Sequence, residues 1–160
     1  MSLIFDTHAH YDDEAFDADR ETLLASMPEH GVGLILDPGC DLESSRRAVE
    51  LARTYPHVYA AVGWHPENCA PYTEDSRDVL RAWAREPKVV AIGEIGLEYH
   101  YEGVDRTIQK REFERQTELA NELSLPIIVH DREAHGDTVD ILRRTKPRGV
   151  IHCFSGSVET

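Results

Sequence analysis

Asp6-Thr7-His8-Ala9-His10 follows a short aliphatic run, and the two-residue period of an extended chain puts His8 and His10 on the same side. Two imidazoles so placed can grip one cation, although H-x-H by itself also describes accidental surface sequence. Glu94 ends the run Val89-Val90-Ala91-Ile92-Gly93. A carboxylate beside an apolar strand must find a partner, and the plain alternative is an acid bonded to an arginine or to backbone. A carboxylate can also coordinate two cations, one through each oxygen, which a neutral imidazole cannot do. Glu94 is therefore the expected bridging and catalytic residue. His130 follows Ile127-Ile128-Val129, and His152 follows Val150-Ile151. Singly, each would pass for a satisfied core histidine. Four histidines and one acid at equivalent strand ends point instead to a metal centre with His8, His10, Glu94, His130 and His152 as ligands. Two cations ~3.5 to 4 Å apart polarise a phosphoryl oxygen, lower the pKa of water and stabilise a leaving oxygen.

Such a set requires a scaffold that brings several strand ends together. Short β-branched or aliphatic runs recur at Leu3 to Phe5, Gly33 to Leu36, Val58 to Val62, Val89 to Ile92, Ile127 to Val129 and Gly149 to Ile151. Between them lie polar segments with helical spacing, such as Phe113, Gln116, Leu119, Ala120 and Leu123, or Ser76, Val79, Leu80 and Trp83. The alternation predicts an α/β fold with a parallel sheet wrapped by helices. An open doubly wound sheet would gather its chemistry at one switch point. Polar residues at the ends of many strands fit a (β/α)8 barrel of TIM type. A closed barrel needs eight strands and typically ~250 residues, so residues 1–160 read as one incomplete domain of about six βα units, with unpaired edges through which it could self-associate.

Composition narrows the function. With 41% hydrophobic residues and dispersed charge, the chain can bury a core. The apolar runs fall far short of the ~18 residues that span a bilayer, and the N-terminus lacks the pattern of a secretory signal, so no membrane partner and a cytoplasmic location are expected. Cys40, Cys69 and Cys153 form no C-x-x-C pair and read as reduced thiols. The net charge of −13 is concentrated in residues 1–80, which hold 16 acidic and 5 basic residues, against 14 and 12 in 81–160. Such a chain repels nucleic acid at long range, and a phosphodiester substrate would need bound cations to offset the repulsion locally.

The ordered set Asp6-Thr7-His8-Ala9-His10, Gly93-Glu94-Ile95-Gly96-Leu97-Glu98-Tyr99, Pro126-Ile127-Ile128-Val129-His130 with Arg132 and Ala134, and His152-Cys153-Phe154-Ser155-Gly156 resembles the TatD family of amidohydrolase-type barrels. Gln109, Phe113 and Gln116 match the family's helix after the glutamate. The resemblance covers essentially the whole chain; its Gly-Glu-Ile-Gly-Leu and His-Cys-Phe-Ser-Gly segments are specific, whereas H-x-H is shared by many barrel hydrolases. It implies a metal-dependent DNase in which His8 and His10 hold one divalent ion, His130 and His152 the other, and Glu94 both. It also implies an aspartate after a later strand, for which these 160 residues have no counterpart.

His65, in Gly63-Trp64-His65-Pro66, resembles a family position near the substrate; a surface-loop histidine is the rival reading. Arg132 could hold a phosphate in its planar fork, or form an ordinary salt bridge. His30, His57, His100 and His135 show no partner spacing and are expected to be solvated. The imidazole-rich set suits Zn2+, Mn2+, Fe or Ni2+ better than Mg2+. The expected substrate is DNA, at a single-stranded stretch or an end, hydrolysed by metal-activated water. The alternatives are an amide or ester hydrolase, such as an aminoacyl-tRNA deacylase on the same barrel, and an inactive metal-binding domain. Many binuclear amidohydrolases bridge their metals with a carboxylated lysine; Glu94 favours the phosphodiester branch.

Overall fold

The computed structural model describes residues 3–159. Six strands, β1 (Ile4–Asp6), β2 (Val32–Pro38), β3 (Val58–Val62), β4 (Val89–Glu98), β5 (Ile127–Arg132) and β6 (Gly149–Ile151), alternate with five helices. These are α1 (Arg20–Ser26), α2 (Leu42–Thr54), α3 (Glu74–Trp83), α4 (Arg106–Leu123) and α5 (His135–Thr145). A short 3-10 turn, Glu14–Phe16, precedes α1. Every neighbouring strand pair is parallel, in the order β1-β2-β3-β4-β5-β6. Sequential order leaves no point at which the winding reverses, which excludes the doubly wound alternative.

Side-chain parity divides the sheet into two faces. One carries Ala60, Val62, Ile92, Ile95 and Val129 against helix residues such as Ala48, Leu80, Phe113, Leu119 and Ile141. The other gathers Leu36, Ala61, Ala91 and Ile128 from four adjacent strands with no helical residue; this is the concave face of an arc. The curvature is strong enough that His8, after the first strand, stacks on His152, after the last, with ring centroids 3.8 Å apart and planes 6° apart. The sheet is thus a half-barrel whose C-terminal strand ends converge. On its open sides Leu3, Ile4, Phe5 and Val150 are exposed.

Three of the five helices begin where short polar side chains satisfy free backbone N–H groups. Asp41 and Ser44 form a reciprocal capping box on α2, Thr73 caps α3 and Asp105 caps α4. Two glutamines of α4 then clamp the sheet. Gln116 accepts from the Trp64 N–H at 2.8 Å and donates to the Trp64 carbonyl at 3.1 Å. Gln109 accepts from the Glu98 N–H and donates to the Glu98 carbonyl, at 2.8 and 3.0 Å. The main chain beside His65 and at Glu98 is fixed in this way. Gly96, at φ 143°, lets β4 approach β5; a Cβ there would lie 2.0 Å from the His130 carbonyl oxygen.

Candidate metal centre

Glu94 occupies the middle of the converging strand ends. Its side chain is only 4% exposed, and each oxygen faces a different pair of histidines. Oε2 lies 3.2 Å from His8 Nε2 and 3.5 Å from His10 Nε2. Oε1 lies 3.1 Å from His130 Nδ1 and 2.7 Å from His152 Nε2. The structure therefore brings together all five residues singled out at the strand ends. The Nε2 atoms of His8 and His10 are 3.1 Å apart, so two potential ligand atoms aim at nearly one point.

His65 is buried rather than in a surface loop. Its ring packs edge-on to His130 with centroids 4.3 Å apart, and His65, Glu94 and His130 offer ligand atoms within 4.8 Å of one another. So do His8, His10 and Glu94. The two groups share one carboxylate, Glu94, and His65 lies beside His130 in one of them, a donor set of the kind that holds divalent cations. Imidazole and carboxylate donors with one acidic bridge fit borderline divalent ions.

Electrostatics couple these groups tightly. Burial pushes the Glu94 carboxyl up, but hydrogen bonds from His10, His130, His152 and His8 outweigh it and hold the group far below the usual carboxylate range. His10 is raised to about 10, first by Asp12 and then by Glu94. His65 is lowered to about 4 by burial. For His130, burial works downward, yet Glu94 and Glu98 prevail and raise it.

Two acids escaped the sequence reading. Glu98 Oε2 lies 2.9 Å from His130 Nε2, so both nitrogens of that ring face carboxylates. Glu98 is four residues beyond Glu94 on the same strand, and that spacing was its signal. Asp12, behind the site, lies 3.7 Å from His10 Nδ1, and its buried Oδ1 makes no hydrogen bond among the described residues. Asp12 extends the alternation of His8 and His10 by one step, beyond the end of β1. Asp37, fully buried beside it, is raised well above the ordinary carboxyl value by burial and by Asp12.

Arg132 is exposed at the rim with no carboxylate within 4.0 Å among the described residues, and its guanidinium lies over the Tyr101 ring, 5.1 Å from the centroid. The salt-bridge alternative is absent there. The expectation that four histidines are solvated needs correction. His30 is exposed, but His100 Nδ1 lies 2.8 Å from Glu133 and His135 Nδ1 lies 2.7 Å from the buried Asp131. His57 has a buried Nε2 without a hydrogen bond. Asp131 lies in β5 and His135 opens α5, so this pair ties the strand end to the start of the following helix.

Comparison with known proteins agrees with this arrangement. The TatD related DNase family profile matches residues 5–160. The chain is 40% identical over 160 residues to the uncharacterized metal-dependent hydrolase YabD of Bacillus subtilis, covering 98% of this chain and 63% of that protein. It is 34% identical to the 3'-5' ssDNA/RNA exonuclease TatD of Salmonella typhimurium, over 96% of this chain and 60% of that one. The crystal structure of YjjV, a TatD homologue from Escherichia coli K12, superposes with a TM-score of 0.90 at 35% identity, covering 98% of this chain and 62% of YjjV. The chain thus spans about three fifths of the length of these relatives. No helix among the described residues is long and apolar enough to cross a membrane. The half-barrel, the convergent histidines around Glu94 and the match over nearly the whole chain place this protein in the TatD related DNase family of metal-dependent hydrolases.

Proposed function

We propose that residues 1–160 carry the metal-binding part of a hydrolase that cleaves phosphodiester bonds at single-stranded ends of DNA. The observation that carries this reading is the division of Glu94: one oxygen toward His8 and His10, the other toward His130 and His152. His8, His10 and Glu94 would hold one divalent ion, and His130, His152 and Glu94 the other, with His65 able to join the second group. When bound, such ions supply Lewis acidity and water activation, and they offset the chain's negative charge where a phosphate must approach.

The protein's own groups perform the remaining tasks. Glu94 stays ionised because imidazoles surround it, so it can keep both cation positions in register. Glu98 and Asp12 face the far nitrogens of His130 and His10 and would fix ring orientation and tautomer. Arg132, free of carboxylates at the rim, would take a phosphate oxygen pair in its fork. The cleft lined by Glu94, Glu98, His130 and Arg132, with a volume of about 530 Å3, is within the ~300–1,000 Å3 range of small-ligand sites. It has the size for a strand terminus. Relatives named as 3'-5' ssDNA/RNA exonucleases favour the same substrate class. A cytoplasmic setting suits reduced Cys40, Cys69 and Cys153.

The test is cleavage of an end-labelled single strand with Mn2+, Zn2+ or Mg2+, and again with chelator. Metal-dependent shortening from one end supports the proposal. Cleavage that persists in chelator, or its absence in a protein extended to the full length of the relatives, refutes it. Release of the aminoacyl group from a charged tRNA, without DNA cleavage, would favour the carbonyl-hydrolase alternative.

A further inference from the structure

Ten of the chain's arginines make ion pairs with carboxylates. In a protein with 30 acidic side chains and a net charge of −13, that is the ordinary fate of a guanidinium. Arg85, Arg106, Arg132 and Arg148 have no such partner among the described residues, and of these Arg132 alone lines the cleft that holds Glu94, with its guanidinium over the face of Tyr101.

Tyr101 is itself unusual. It is a large aromatic residue 53% exposed, yet it is not on a loose tether. Its backbone N–H donates to Glu98 Oε1 at 3.2 Å, and the His100 N–H donates to the same oxygen at 2.7 Å. The other oxygen of that carboxylate lies 2.9 Å from His130 Nε2. The His100 ring packs edge-on to Tyr101 with centroids 4.7 Å apart, while its own Nδ1 is held by Glu133. Arg132 sits opposite Glu98 in the parallel register of β4 and β5. An exposed ring and a guanidinium without a carboxylate partner thus stand beside His130 and open onto one cleft.

An exposed planar ring beside a cation offers a stacking surface and a phosphate anchor in one place, which is the combination that binds unpaired nucleotides. We propose that Tyr101 and Arg132 form a subsite that takes the unpaired nucleobase next to the phosphate bound at the Glu94 cluster, the base lying on the Tyr101 ring while Arg132 holds its phosphate. This deepens, and rests on, the nuclease reading above. It supplies a physical reason for single-strand preference, because a base inside a duplex is already stacked and cannot reach the ring. Every base has a π face, so the subsite is tolerant of sequence.

The experiment measures equilibrium binding, with Mn2+ or Zn2+ present to offset the chain's negative charge and with hydrolysis-resistant phosphorothioate linkages, of two single-stranded oligonucleotides. One ends in 2-aminopurine, whose fluorescence reports stacking, and the other ends in an abasic residue. Tyr101→Ala is expected to weaken binding of the base-bearing strand by roughly 5- to 150-fold and to abolish the stacking quench, with the abasic strand unaffected. Tyr101→Phe, which keeps the ring, should bind both strands as the wild type does. Wild-type affinity and quenching in Tyr101→Ala, or an equal loss for both strands, overturns the stacking subsite while leaving the nuclease reading standing. Failure of the wild-type protein to bind either strand overturns both.

Discussion

Replacing Glu94 with glutamine keeps the shape of the side chain but removes its charge and turns one ligand oxygen into an NH2 group, which donates and cannot coordinate. Because each oxygen of Glu94 faces a separate pair of imidazoles, at 2.7 to 3.5 Å, the substitution weakens both halves of the centre at once. Loss of a group that merely orients a ligand costs ~10–100-fold in metal affinity. Loss of a ligand common to both positions should reach at least the upper end. A metal held at ~100 times its Kd stabilises the folded chain by about 2.7 kcal/mol. For a chain of this size that raises Tm by roughly 5–11 °C, at ~2–4 °C per kcal/mol. A 100-fold loss of affinity at the same metal concentration leaves about 0.4 kcal/mol, or roughly 1–2 °C. The assay is thermal unfolding of wild type and Glu94→Gln, each with chelator and with Zn2+ or Mn2+. Reading the metal-induced increment removes any effect of the substitution on the metal-free protein. A His30→Ala variant, altered at an exposed histidine away from the cleft, should keep the full increment. If Glu94→Gln keeps it too, Glu94 does not bridge the ions and the assignment of the centre fails.

Two further outcomes follow from the same geometry. In the metal-free protein His10 titrates at about 10 because Asp12, and then Glu94, hold its proton, so a cation must displace that proton. Metal affinity should therefore climb by up to about tenfold per pH unit below pH 10 from this group, read by calorimetry in buffers of different ionisation enthalpy; a flat profile would rule this out. The metal-free chain should show the opposite trend, since stability from a raised histidine is complete below its unfolded pKa of about 6.5 and disappears as pH rises through about 10. Separately, Gln116→Leu preserves bulk in α4 but strips both partners from the buried Trp64 N–H and carbonyl. Two orphaned backbone groups at ~1–3 kcal/mol each should cost about 2–6 kcal/mol, a Tm fall of roughly 4–24 °C by thermal melt. A fall under ~2 °C would mean that α4 does not clamp the strand leading to His65.

Much of this was legible in the sequence because strand ends and chemistry coincide. The runs at Val58 to Val62 and Gly149 to Ile151 match β3 and β6 residue for residue, since short apolar runs that start after a polar residue and stop at a glycine or a histidine leave little choice of bounds. The run Val89 to Ile92 gives only the start of β4, which continues to Glu98. Apolarity stops there while the strand does not, because the next residues trade hydrophobicity for Glu94, Gly96 and Glu98: two carboxylates that serve the site and a glycine that β5 requires. A broken pattern inside an otherwise regular element marks function. Asp12 was missed for a different reason. It lies, like His8 and His10, in irregular chain beyond β1, and an aspartate among several in Tyr11-Asp12-Asp13-Glu14 reads as a solvated acid until the fold buries it. His65 was ambiguous because a Trp-His-Pro corner reads alike whether it faces solvent or a cleft, and only the packing of His130 against it decides.

What no local pattern contains is the distance across the mouth. His8 and His152 are 144 residues apart and follow the two outermost strands, so in a flat sheet with strands spaced ~4.7–4.9 Å their bases would be separated by five such steps. They stack at 3.8 Å only because twist accumulates over all five pairings and curls the sheet. The candidate ligand set is thus encoded one strand at a time, whereas its convergence belongs to the sheet as a whole. A substitution that flattens the arc should scatter the histidines without touching any of them. Gly96, where a Cβ would collide with the β5 backbone, is the position at which that separation of encoding from assembly is most exposed.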